Sequence, residues 1–241
     1  MKDNGEKLEI INFQAEVALI NRYIDAMNRP LEILEAGCGR KWPLRLSVPY
    51  RLTGIDADAE AIALRKQTRT DLTTAIVADL GTAQLSASSF DVIYCSYVLE
   101  HVQGADRVLA NFLNWLKPGG LMIIRVPDRD AVYGWITRHS PFWLHVQYKR
   151  WIEGVKNAGK PGFDPYPVFY DQSISRPGMV GFCRKHRLEL CEVRGVSSYL
   201  GKSRLVVIAA IGSSWLTLGR LPWRYNNLLY IVRKPGNPAP N

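Results

Sequence analysis

The sequence predicts a doubly wound α/β fold with a mostly parallel sheet, on three observations. Short apolar runs of strand length alternate with helix-length segments between residues 31 and 126. The first run ends on glycines, and the second and third each end beside an aspartate. The alternation itself implies parallel pairing through right-handed crossovers, and hence an open sheet with helices on both faces.

Along the chain, residues 7–27 place Ile10, Phe13, Val17, Ile20 and Ile24 at roughly helical spacing. Ile11 and Leu19 widen the stripe and Pro30 closes it, so an N-terminal helical segment is expected within residues 1–30. Strands are expected at 31–36, 51–55, 74–77, 91–95 and 121–126. Helices are expected at 59–68 and 104–116, the second ending in Lys-Pro-Gly-Gly. Residues 128–173 break the pattern: they are aromatic-rich and without clear periodicity, and a stretch of this length is more often functional than idle. They read as an inserted lid over an acceptor. A helix at 176–185, a strand near 188–193, a candidate helix at 204–218 and a last strand at 227–233 complete one domain over 1–241, with seven strands in the sheet.

Composition narrows the partners. Residues 1–124 hold 13 Lys/Arg against 15 Asp/Glu, whereas 125–241 hold 18 against 7, so a front half of −2 and a back half of +11 make the net +9. Such a field suits an anionic substrate, a nucleic acid or an acidic membrane face, and equally a solvated basic surface. The charged start MKDNGEKLEI lacks the apolar stretch of a secretory signal. The longest weakly polar run, 205–218, falls short of the roughly 20 residues a membrane span needs. Cys38, Cys95, Cys183 and Cys191 show no metal-ligand spacing and read as reduced thiols of a cytoplasmic protein.

The chemistry concentrates at the strand ends. Gly37-Cys38-Gly39 lets the backbone turn tightly and approach a ligand, although a lone GxG also fits an ordinary turn. A dinucleotide fingerprint fails because Trp42 stands where a third glycine belongs. Asp56, 17 residues beyond Gly39, suits a carboxylate accepting from ribose hydroxyls. Asp79 places a second acid on the same edge. Each acid alone fits a helix cap; three strand ends facing one crevice fit a ligand site.

The stretches LEAGCG, GIDAD, VADL, FDVIYCSYVLEHV and LKPGGLMIIRVPD, in this order, resemble the successive motifs of class I S-adenosylmethionine-dependent methyltransferases over about residues 31–128. More loosely, IVRKP is similar to that family's last antiparallel strand. The resemblance implies a Rossmann-like methyltransferase fold and an enzyme that converts S-adenosyl-L-methionine to S-adenosyl-L-homocysteine. By the same resemblance Glu35, Gly37 and Gly39 surround the methionine part of the cofactor. Asp56 then holds the ribose, Asp79 reaches the adenine amino group with Leu80 beside the ring, and Ser96 and Tyr97 lie near the sulfonium and the acceptor. Arg40-Lys41-Trp42 departs from the small residue and glycine common there, which leaves the path of this loop open.

His101 has three readings: a general base for the acceptor proton, a metal ligand with Glu100, or a residue that orients the turn. Tyr97, not an acid, stands four before the histidine and weakens the metal reading, so no metal is assigned. His145 and His139, within the lid, are alternative bases. The expected reaction is O-methylation of a small-molecule or glycan- or lipid-linked acceptor, with peripheral membrane contact through residues 205–218. A nucleic-acid methyltransferase is the weaker reading, because CSYVLEH replaces the Asn/Asp-Pro-Pro-aromatic stretch of enzymes that methylate exocyclic amines. A binding protein without catalysis is a further alternative. Oligomeric state is not legible.

Overall fold

Period-2 alternation sorts the strands into two faces. In the strand Leu31–Ala36 (β2), Leu31 and Ile33 point to one side of the sheet and Leu34 and Ala36 to the other, all buried. The same split runs through Leu116–Pro127 (β6), where Leu121 and Ile123 oppose Met122, Ile124 and Val126. A strand apolar on both faces must be covered twice, as in doubly wound folds.

The computed structural model describes residues 8–151, 154–160, 165–197, 211–212 and 221–236. Its sheet adds Ile10–Asn12 (β1), Tyr50–Asp56 (β3), Thr74–Val77 (β4), Phe90–Ser96 (β5), Glu189–Ser197 (β7) and Asn227–Arg233 (β8). The order is β1-β7-β8-β6-β5-β2-β3-β4, parallel except that β8 runs antiparallel to both neighbours. The helices Phe13–Asp25 (α1), Ala59–Thr68 (α2), Ala105–Trp115 (α3) and Arg176–Lys185 (α6) flank it. Ile20 and Ile24 of α1 cover one face; Val108, Leu109 and Phe112 of α3 and Met179 of α6 cover the other. Asn12, Asp58 and Ser175 cap α1, α2 and α6 with side-chain oxygens.

Three expectations need correction. The sheet has eight strands, not seven, because Ile10 and Ile11 leave the expected helix and pair in parallel with Gly195 and Val196. Helical spacing could not reveal this, since a free edge on a distant strand decided it. The fifth expected strand starts earlier, at Leu116, and runs through the glycines. Residues 128–173 are not wholly irregular: Val132–His139 (α4) and Phe142–Trp151 (α5) are helices. Between β2 and β3, where no helix is expected, none forms, and Trp42 and Leu44 of that connection pack on the sheet. The candidate helix at 204–218 lies outside the described residues except for 211–212, and within those described no helix is long and apolar enough to cross a membrane.

Candidate functional site

After β2 the chain builds β3 and β4 on one side, then returns to lay β5 on the other. The carboxyl ends of β2 and β5 therefore diverge at a topological switch point, where open α/β sheets bind ligands. The glycine loop sits there. Gly37 and Gly39 adopt φ of +72° and +48°, values that disfavour any residue with a β-carbon. A β-carbon at Gly37 would overlap the Val98 side chain, whereas one at Gly39 would meet nothing within 4 Å. Gly37 is thus packed against the β5 turn, and Gly39 leaves open space beside it.

Asp56, at the tip of β3, ties this loop down. Its Oδ2 accepts from the Gly39 N–H at 2.8 Å and its Oδ1 from the Asp58 N–H at 2.9 Å. A carboxylate has about four acceptor positions, so capacity remains for two ribose hydroxyls. These features fit a nucleoside cofactor. Asp79 is exposed and closes its own turn, accepting from the Gly81 N–H at 2.9 Å, and Leu80 is buried in the core beside it.

Glu35, at the end of β2, is buried, and its Oε2 lies 2.8 Å from Arg65 Nη1. Arg65, fully buried on α2, also pairs with Asp71 at 2.9 Å and donates to the Cys38 carbonyl at 2.5 Å. It therefore braces the glycine loop from beneath. Nothing in the polar helix sequence distinguished Arg65 from its neighbours Lys66 and Arg69.

At the ends of β5 and β6 a second cluster forms. Arg125 is 6% exposed and makes two 2.7 Å bonds to Glu16, which is fully buried on α1. Its Nη1 donates to Tyr94 and Ser96 hydroxyls at 3.1 Å. Tyr97 follows with φ +57°, unusual for a bulky side chain. Its N–H donates to the Arg125 carbonyl at 2.8 Å, and its ring lies 4.9 Å from the guanidinium. Backbone strain of this kind clusters at functional sites. Burial, opposed by Arg125, pushes the Tyr97 phenol up to about 12, so near neutral pH it can donate a hydrogen bond but not act as a phenolate. Glu16 and Arg125 were missed in the sequence, where they are 109 residues apart.

Glu100 and His101 occupy the short turn after β5. His101 Nδ1 lies 2.7 Å from the Pro167 carbonyl, which can only accept, so Nδ1 carries the proton and Nε2 is the basic nitrogen. Nε2 stands 3.8 Å from Glu100 Oε1. The Glu100 side chain is 3% exposed, its Oε2 has no hydrogen-bond partner, and burial pushes its carboxyl up to about 8. Among the described residues, no three His, Cys, Asp or Glu side chains group as metal ligands.

The raised Glu100 carboxyl carries a stability prediction. Between its unfolded value near 4.3 and about 8 the folded state binds more protons than the unfolded, so stability falls as pH rises through that window. Glu100→Gln should flatten this decline, which urea titrations at about pH 6 and about pH 8 would measure. An unchanged decline would mean that Glu100 is hydrated in solution.

Residues 169 and 170 return to this turn. Phe169 N–H donates to the Glu100 carbonyl at 2.8 Å, and Tyr170 OH meets Thr137 of α4 at 3.1 Å. His139 and His145 are engaged within the α4–α5 unit. His145 Nε2 bonds Ser140 Oγ at 2.7 Å, and its ring packs edge-on to Phe142. His139 Nδ1 bonds the Trp135 carbonyl at 2.7 Å, with its ring stacked on that indole. Of the histidines considered as bases, only His101 belongs to the β5 turn.

Comparison with known proteins agrees with this geometry. The chain is 29% identical over 110 residues to phosphoethanolamine N-methyltransferase 1 of Arabidopsis thaliana, covering 42% of this chain and 22% of that protein. It is 26% identical over 131 residues to the ubiquinone biosynthesis O-methyltransferase of Rickettsia conorii, covering 46% and 44%. The alignments thus span less than half of either relative's length. The Burkholderia thailandensis 1,6-didemethyltoxoflavin-N1-methyltransferase, solved with 1,6-didemethyltoxoflavin and S-adenosylhomocysteine, superposes with a TM-score of 0.51 at 16% identity. That superposition covers 91% of this chain and 77% of the other, and shows a shared fold. The methyltransferase-domain profile matches residues 11–160, more than half of the chain and all of the strand ends described above. With its glycine loop, acid-tipped strands and sheet order, this chain belongs to the class I S-adenosylmethionine-dependent methyltransferases.

Proposed function

We propose that this methyltransferase O-methylates a hydroxyl acceptor, small or glycan- or lipid-linked, with His101 as the base. The observation that carries the reading is the 2.7 Å contact of His101 Nδ1 with the Pro167 carbonyl, an acceptor that calls for a proton on Nδ1 and makes Nε2 the basic nitrogen in the turn after β5. In this reading Gly37, Gly39 and Asp56 hold the methionine and ribose parts of the cofactor, and Asp79 and Leu80 border the adenine. Glu35 acts through Arg65. The bound sulfonium supplies the methyl group. The protein's share is alignment, exclusion of water and removal of one proton from the acceptor hydroxyl to His101 Nε2. Tyr97, neutral near pH 7, would orient the acceptor by hydrogen bonding; His145 and His139 are left with the lid. The ubiquinone-pathway relative is named for O-methylation and the plant relative for N-methylation, so the acceptor atom is a proposal from chemistry.

Calorimetry with S-adenosylhomocysteine on wild type and Asp56→Ala tests the cofactor assignment. A loss of at least about 1.4 kcal/mol, roughly tenfold, is expected. A methyl-labelled cofactor offered with phenols, sugar alcohols and phosphoethanolamine tests the acceptor. Labelled ethers that disappear in His101→Ala support the reading. Labelled amines alone would overturn it.

A further inference from the structure

The helix α5 presents a contradiction. It contains Phe142, Trp143, Leu144, Val146, Tyr148 and Trp151, yet none of its residues is buried. One side is occupied: residues 155–159 fold back on it, with Arg150 Nε donating to the Ala158 carbonyl at 3.0 Å and Gly159 seated against Val146. The other side carries Leu144, Tyr148 and Trp151 at i, i+4 and i+7, a helical stripe. Trp151 is 80% exposed, and Trp143 on the flank is 61% exposed. Indoles this open, contiguous with further apolar side chains, mark an interaction surface.

Charge decides the occupant. Residues 131–160 hold five Lys/Arg against one Glu, and Arg138, Lys149 and Arg150 lie in the last turns of α4 and α5. A second copy would set this positive unit against itself. Tryptophan and tyrosine beside basic side chains are the composition of a membrane interface, where rings sit at headgroup depth and cations meet acidic lipids.

We infer that the α4–α5 unit docks this enzyme on an anionic lipid surface through Trp143, Trp151 and the Leu144–Tyr148 stripe. The place of the unit gives this docking a purpose. It follows directly on β6, and Thr137 of α4 bonds Tyr170, which packs beside the Glu100–His101 turn. A lipid-linked acceptor in that surface would meet the enzyme at its catalytic end. The purpose, though not the docking, rests on the lipid-linked acceptor proposed above. The surface also differs from the 205–218 segment singled out in the sequence.

Flotation with vesicles of about 30% phosphatidylglycerol in phosphatidylcholine tests it, with pure phosphatidylcholine alongside. Wild type should float with the anionic vesicles at low salt and lose at least about tenfold in partitioning at roughly 0.5 M salt. Because both indoles are exposed, Trp143→Ala/Trp151→Ala should fold normally. It should lose at least about tenfold in partitioning and keep S-adenosylhomocysteine affinity within about twofold. No flotation, or equal flotation of the double variant, would overturn the inference. So would a wild-type dimer in sedimentation velocity that the double variant abolishes, since the stripe would then belong to a second copy. Failure of the cofactor site would appear only in the calorimetry, and failure of the docking only in the flotation.

Discussion

Replacing Arg125 by Met, with Glu16 left in place, is expected to lower the unfolding free energy by about 3–5 kcal/mol. Glu16 is fully buried on α1, and the guanidinium supplies both of its carboxylate oxygens with 2.7 Å partners. Without Arg125 the fold must bury an unpaired carboxylate, protonate it or pull α1 away from the sheet, and each costs several kcal/mol. Urea denaturation should show a lower midpoint at an unchanged slope. The double variant Glu16→Leu/Arg125→Met should recover most of the loss, because well-packed apolar replacements of a buried pair are often neutral. It should not restore turnover if the guanidinium is needed to hold the Tyr97 ring, 4.9 Å away. A single-variant loss below about 1 kcal/mol would place the pair in the exposed class and refute its burial in solution.

Gly37→Ala is expected to weaken S-adenosylhomocysteine binding by about a hundredfold, near 2.7 kcal/mol. Two effects add. The left-handed backbone at φ +72° costs a residue with a β-carbon roughly 1–2 kcal/mol. The new methyl also overlaps Val98, so either the loop or the β5 turn must move. Val98→Ala on the same background should recover about tenfold, about 1.4 kcal/mol, by removing the overlap but not the backbone cost. Calorimetry on the wild type, both singles and the double forms a cycle that separates the two effects. Equal binding by Gly37→Ala and wild type would show that the loop does not shape the cofactor site.

Parts of the candidate site were legible in the sequence because their positions rest on backbone geometry or strand register. Gly37 and Gly39 need positive φ, and Asp56 and Asp79 fall at the ends of apolar runs whose lengths fix where the strands stop. His101 was legible only as a candidate; its tautomer depends on the Pro167 carbonyl, 66 residues away and in no regular pattern. Tyr97 was legible by position, but not in its strained backbone or its guanidinium partner. The residues that brace the site were missed altogether. Arg65 reads as one more polar helical residue, and the Glu16–Arg125 pair joins elements that only the sheet order brings together.

Local pattern alone placed five strands and three helices near their observed limits, and with them the strand ends at the switch point. Those features follow from local periodicity: alternating apolar residues commit a strand to two buried faces, and a capped, periodic run commits a helix. Long-range packing decided that Ile10–Asn12 joins the sheet beside β7 and that Trp42 and Leu44 cover the sheet between β2 and β3, while α4 and α5 form within residues 128–173. The first two depend on a vacancy elsewhere, a free strand edge and an uncovered patch of sheet. The chain meets such vacancies only after it has folded, so no local pattern encodes them.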